Sequence, residues 1–313
     1  MIPGCSVPPI YSPPSFVPGA RQTNWISRVS AADIAWPSVA YGAGLFAAVS
    51  YSGGDQLMTS PDGITWTQRA LAQPHEAVTF AASQFVAVKG SGAGAGASNR
   101  VATSADGITW ADHSGAADIQ WHVIGYGNGV WVALATSGVG NRAMSSSDAA
   151  TWTGRVSAAD NAWQGVAYGA GVFAAVANTG TGDRVMTSPD GVTWTSRLSA
   201  TENDWSGVVF ANGLFVAVSS TGTGDRVMTS PDGITWTSRA SAADHAWRNI
   251  AYGNGLFVAV SSTGTVMTSP DGITWTLGTA PVANQWYGIV YGNGTFVATS
   301  ITGTGNRVMT SSY

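Results

Sequence analysis

Charge is scarce in this 313-residue chain: only 10% of its residues are Asp, Glu, Lys or Arg, and the formal net charge is −4. A surface that reads phosphate needs clustered cations, so the composition excludes nucleic acid as a partner class. Lys89 is the single lysine, and the other cations are arginines spread along the chain. Glutamate occurs twice, as Glu76 and Glu202. The one cysteine, Cys5, cannot close an internal disulfide, which leaves the redox compartment open. No apolar run approaches the length of a membrane span. Residues 1–20 lack a basic start and a continuous apolar stretch, so they do not read as a secretory signal.

What fills the chain instead is repetition. A closing tryptophan recurs at Trp25, Trp66, Trp110, Trp152, Trp194, Trp236 and Trp275, at spacings of 41, 44, 42, 42, 42 and 39 residues. A period near 42 with four short strands per unit predicts a β-propeller. Each unit parses into strands A to D. Strand A is Trp-x-x-Val-Ala-Tyr, and a Gly-Asn-Gly turn follows it, where glycine supplies positive φ. Strand B is a near-continuous apolar run such as Leu214 to Ser219, as expected for a strand covered on both faces. A Thr-Gly-Thr-Gly loop leads to strand C, Arg-Val-Met-Thr-Ser. A Pro-Asp-Gly turn then leads to strand D, read as Ile-Thr-Trp-Thr-Ser-Arg.

Strands C and D each occur seven times. The first D copy, Asn24 to Arg28, stands ahead of any A, B or C strand, and the chain ends after a C strand. The expected fold is therefore all-β: a seven-bladed propeller of four-stranded antiparallel blades over residues 23–313, closed when the N-terminal strand completes the last blade. That closure hides both open sheet edges. Residues 1–22 hold six of the thirteen prolines and read as an extended arm.

Ser188-Pro-Asp-Gly-Val-Thr-Trp194 recurs as Ser60 to Trp66, Ser230 to Trp236 and Ser269 to Trp275, with degenerate copies at Ser104 to Trp110 and Ser146 to Trp152. It resembles the Asp-box hairpin of bacterial-neuraminidase-type repeats, one residue shorter between Asp and Thr. That resemblance implies a structural role for Asp62, Asp106, Asp148, Asp190, Asp232 and Asp271 and for Trp66, Trp110, Trp152, Trp194, Trp236 and Trp275. The physics agrees, because a turn aspartate competes well for nearby backbone N–H groups. Sialidase activity does not come with it: no unique tyrosine, arginine and glutamate set stands out. A catalytic centre should break the symmetry of the repeat, and no break with the right chemistry is visible, so the chain reads as a non-enzyme. The histidines lack metal-ligand spacing. Gly182-Asp183 and Gly224-Asp225 lack the dense acidic run that calcium needs. No metal or cofactor is expected.

Strand direction puts the A–B and C–D turns on one face, and the B–C loops and D–A connections on the other. The second face varies. Blade 2 carries an expanded loop, 90–98, and a D–A connection in which His75 takes the tryptophan's place and Glu76 follows it. Variable loops on a fixed scaffold are where binding tends to sit, so His75 and Glu76 are read as candidate ligand-binding residues. The same face repeats Asp33, Asp118, Asp160, Asp204 and Asp244 in D–A connections and Arg100, Arg142, Arg184, Arg226 and Arg307 at the start of strand C. Two readings stand. The Asp and Arg residues pair between blades, or they bond sugar hydroxyls in repeated shallow sites where Trp36, Trp121, Trp163, Trp205, Trp247 and Trp286 stack on the ring.

The repeats also look like those of propellers in bacteriophage structural and tail proteins. That resemblance implies a non-enzymatic virion component with a decoration, tail or receptor-binding role. It would be made in the host cytoplasm and would contact other virion proteins through the arm, or host-surface glycan. The alternatives are a carbohydrate-binding lectin with several inter-blade sites, and a cell-surface or extracellular location. No membrane insertion is expected.

Overall fold

The structure, a computed structural model, describes residues 24–53, 56–90 and 100–312. The proline-rich arm and residues 91–98 of the expanded loop lie outside the described residues. The described chain forms seven four-stranded antiparallel sheets, six of them built from consecutive strands. In the seventh, strand Asn24–Arg28 pairs with the last strand of the chain, Val308–Ser312, in the register Trp25↔Ser311 and Arg28↔Val308. The expected closure is thus present. Arg28 Nε donates to Thr310 Oγ1 at 2.9 Å, as Arg69 and Arg197 do to Thr59 and Thr187 within their own blades.

The core lies between blades rather than within them. One cluster joins Val132 and Leu134 of blade 3 to Trp163, Phe173, Met186 and Trp194 of blade 4. Another joins Trp36, Phe46 and Met58 of blade 1 to Val297 and Val308 of blade 7, across the point of closure. Successive strand residues point to opposite faces, and here both faces meet a neighbouring blade. Strand B is therefore a nearly continuous apolar run, and Phe215 to Val218 are completely buried. Burial of each Phe or Val side chain there contributes about 1.5–3 kcal/mol.

The Tyr-Gly pair that ends strand A has a packing cause. A Cβ on Gly42, Gly127, Gly169, Gly253 or Gly292 would run into the aromatic ring of the next blade: Phe80, Tyr168, Phe210, Tyr291 and Tyr41 respectively. Glycine is needed there for space. In the turn that follows, Asn128 and Gly129 both have positive φ (49° and 79°), as a two-residue hairpin turn requires.

Strand D is shorter than its sequence suggests. In blade 4 it spans Thr195–Arg197, and Val192, Thr193 and Trp194 belong to the turn. The turn holds them. Val192 N and Thr193 N donate to Asp190 Oδ1 at 2.8 and 2.9 Å, and Gly191 N donates to Ser188 Oγ at 2.8 Å. The same set surrounds Asp62, Asp106, Asp148, Asp232 and Asp271. Bonds from Thr109 N, Ile108 N and Ser104 hold Asp106 down at about 2.

Candidate functional site

Among the described residues, the charged groups of the outer loops on the variable face bond to one another and to the loop backbone. In blade 5, Arg226 Nε and Nη1 donate to Gly222 O and Ser220 O, both at 2.9 Å, and staple the B–C loop. Asp244 then approaches the same guanidinium at 3.6 Å and accepts from Gly224 N at 2.7 Å. Arg142 with Asp160, Arg307 with Asp33 and Arg100 with Asp118 repeat the pairing. The pairing reading therefore holds, and it consumes the polar groups that a repeated sugar site would need.

Asp204 is a partial exception. The lock position lies three residues before the strand-A tryptophan, and Glu202 fills it, accepting from Gly182 N at 2.9 Å and pairing with Arg184 at 3.2 Å. Asp204 stands two residues later and bonds Arg184 Nη1 at 2.8 Å. The sequence reading took the residue type and missed the register. A further clamp went unread: Asn161, Asn203 and Asn284 reach across to the B–C loop, where Asn161 Nδ2 bonds Asp183 O at 2.8 Å.

The stacking role is corrected. Trp36, Trp121, Trp163, Trp205, Trp247 and Trp286 are all completely buried between blades. Except in Trp163, the ring N–H is spent on the carbonyl four residues upstream, as in Trp247 to Ala243 O at 3.1 Å. No ring face is left for a ligand. His75 is corrected likewise. It is completely buried in the tryptophan slot, its backbone N–H donates to Ser50 O just as that of Trp36 does to Ser300 O, and its Nδ1 lies 2.8 Å from Gln73 O. Burial pushes its pKa down to about 4.

Glu76, in contrast, opens onto a cavity of about 710 Å³ that runs down the axis of the ring. Strand A of every blade lines it. At its mouth each blade presents the residue that follows the tryptophan slot: Pro37, Glu76, His122, Gln164, Ser206, Arg248 and Tyr287. All seven are half-buried. In blades 3 to 7 this residue sits in a β-bulge, where the strand A–B register slips by one. A bulge re-aims a side chain, and here it brings one to the axis. Gly165, Gly207 and Gly288 follow the bulge in three blades. A Cβ on Gly207 would sit 3.0 Å from Asn249 Cα, so glycine lets the inner strands approach closely.

The mouth is chemically uneven. Glu76 Oε1 lies 3.6 Å from His122 Nδ1. Burial raises Glu76 to about 7 and lowers His122 to about 4, so near neutrality the histidine is uncharged. Tyr51, from the blade 1 B–C loop, is raised by burial and by the nearby Glu76 and Tyr287. Arg248 lies over the Tyr287 ring at 5.1 Å and donates to Ser262 Oγ at 3.2 Å. The symmetry break missed in the sequence is this ring. Its signal was available: the position after the tryptophan slot differs in all seven units.

The fold and the mouth define the class: a seven-bladed β-propeller with one uneven axial opening. No protein-family model and no curated protein sequence matches the chain. Solved structures do. The selenomethionine-substituted virginiamycin B lyase from Staphylococcus aureus superposes with a TM-score of 0.78 at 10% identity, covering 93% of this chain and 99% of that one. YCF48 bound to D1 peptide gives 0.66 at 16% identity, over 93% and 95%. YCF48 from Cyanidioschyzon merolae gives 0.65 at 14%, over 92% and 98%. At these identities the likeness is one of fold.

Proposed function

We propose that the protein is a non-enzymatic binding propeller that recognises its ligand at the axial mouth. The observation that carries this reading is the ring of seven different residues set on seven near-identical blades. Outer-loop polar groups are engaged with one another, whereas the mouth offers a carboxylate, a guanidinium, two tyrosines and amide groups around a cavity of ligand size. YCF48, a propeller of similar fold, has been solved with a peptide bound. The biological setting proposed is a bacteriophage virion, where the mouth would meet a host-surface molecule or a neighbouring virion protein. The repeat resemblance alone supports that setting. If the protein is a lectin, its glycan site is the mouth rather than the seams between blades.

The test is a thermal-shift and calorimetric screen of peptides, glycans and small solutes. The expected hits bind with one site per chain and are lost in Ser206→Trp, which fills the mouth. Several equivalent sites that survive this substitution would overturn the axial reading and restore the inter-blade one. Co-purification with capsid or tail proteins, lost on deletion of residues 1–22, is the expected result for the virion setting.

One observation favours a second reading. Glu76 and His122 form a close pair with opposed proton affinities in a cavity, as acid–base catalysis requires. Turnover of a mouth-binding compound, abolished by Glu76→Gln with binding retained, would establish an enzyme.

A further inference from the structure

The cavity lining carries one carboxylate and one guanidinium among the described residues, Glu76 and Arg248. They stand on blades 2 and 6, three steps apart the short way round, which is the largest separation a seven-blade ring allows. Neither is neutralised by a described group. Arg248 has only a hydroxyl and an aromatic face, whereas Arg100, Arg142, Arg184, Arg226 and Arg307 each face a carboxylate. Glu76 has the uncharged His122 beside it and the uncharged Tyr51 nearby, and its other flank packs on Gly90, where a Cβ would lie 3.0 Å from Oε2. Partly buried charges are normally paired. Here one of each sign is left open, on opposite walls, with uncharged Gln164 and Ser206 between them on one side.

Resting on the axial-site reading, we infer that the mouth takes a zwitterionic ligand, an amino acid or a short peptide with both ends free. Its carboxylate would sit on Arg248, whose planar fork suits a carboxylate. Its ammonium would sit on Glu76. A monoanion leaves Glu76 unmatched, a monocation leaves Arg248 unmatched, and a neutral sugar brings a counter-charge to neither. The span between the walls selects the chain length.

The experiment is calorimetry on the full chain at about pH 8, where Glu76 is mostly ionised. The probes are glycine, diglycine, triglycine and trialanine, each also as its N-acetyl and C-amide form. One length is expected to bind best, one per chain, and either cap is expected to weaken it about tenfold or more. In Arg248→Gln the free acid and the amide should bind alike. In Glu76→Gln the free and acetylated amines should bind alike. Melting curves verify that both variants fold. Capped and free forms binding equally to the intact protein, or no zwitterion binding up to millimolar concentration, would overturn the inference. A glycan or other solute that binds once and is lost in Ser206→Trp would overturn it while leaving the axial-site reading intact. Hits indifferent to Ser206→Trp would remove that reading itself.

Discussion

The hairpin rim and the axial mouth are built on the same repeat and obey opposite rules. At the rim, each Ser-x-Asp hairpin closes its own bonds: one carboxylate oxygen takes two amides and a hydroxyl, and in every such blade but the fourth the tryptophan indole N–H donates to the turn carbonyl. The bonds are local to the turn, so the same solution recurs in six blades. At the mouth, each blade contributes one half-buried side chain, and its partners differ from blade to blade: Glu76 faces His122 of blade 3, whereas Arg248 donates to Ser262 of its own blade. A repeat can vary there without disturbing its fold. Identity marks what the ring needs, and difference marks what it offers.

The largest test removes what both regions depend on. Deleting residues 1–28 takes away Trp25 and the strand that pairs with Val308–Ser312. It exposes a sheet edge and opens the blade 7 core. The cooperative unfolding transition is expected to be lost, with dye-binding apolar surface at neutral pH. Deletion of 1–22 alone should leave the transition in place. A 1–28 deletion that melts like the full chain would show that the ring does not need its clasp.

Much of this was legible in the sequence, for a physical reason. Ring closure demands that the strand count come out even, so a lone D strand at one end and a missing one at the other specify the clasp. The Asp hairpin is local chemistry and needs no tertiary knowledge. The mouth was legible only at Glu76, because averaging seven units discards a column in which every unit differs. His122, Gln164, Ser206, Arg248 and Tyr287 converge only after bulges turn them inward, and hydrophobic periodicity does not encode that turn. The tryptophans misled in the other direction. A recurring Trp beside Asp and Arg fits a sugar platform, yet the rings fill the wedge between blades.

Acid sharpens the comparison next. Folding keeps His75 neutral down to about pH 4, whereas the unfolded chain protonates it near its ordinary 6.5. Its stabilising contribution is present above that range and lost as pH falls from about 6.5 to 4, up to about 3 kcal/mol at 1.36 per unit. Urea unfolding at several pH values should show this loss, and His75→Gln should flatten that slope. An unchanged slope would mean that the ring is not held neutral.

Glu76 has the opposite sign. Its folded value near 7 lies above the ordinary 4.5, so the fold bears a penalty that grows from about pH 4.5 and is complete above about 7. Glu76→Gln is therefore expected to stabilise the protein by about 1–3 kcal/mol at pH 8 and to change little at pH 4. A mouth residue that costs stability is what a binding site predicts. A rim residue should do the reverse. Asp190→Ala loses bonds from Val192 N, Thr193 N and Ser188 Oγ and should destabilise by about 1–2 kcal/mol, with ligand affinity untouched. Opposite signs at the two sites, read by denaturant unfolding, are the sharpest form of the contrast.

The smallest effect belongs to the outer locks, which lie on the same face as the mouth and tell position from role. Asp244 is 41% exposed and pairs with Arg226 at 3.6 Å. An exposed pair of this kind contributes about 0–1 kcal/mol. Asp244→Asn keeps an oxygen for Gly224 N and gives up only the charge. It is expected to shift the melting temperature by no more than a few degrees, less so in salt, and to leave binding at the mouth unchanged. If this substitution instead weakened a ligand as strongly as Arg248→Gln does, the recognition surface would extend over the outer loops. The division between a self-satisfied periphery and an open centre would then have to be redrawn.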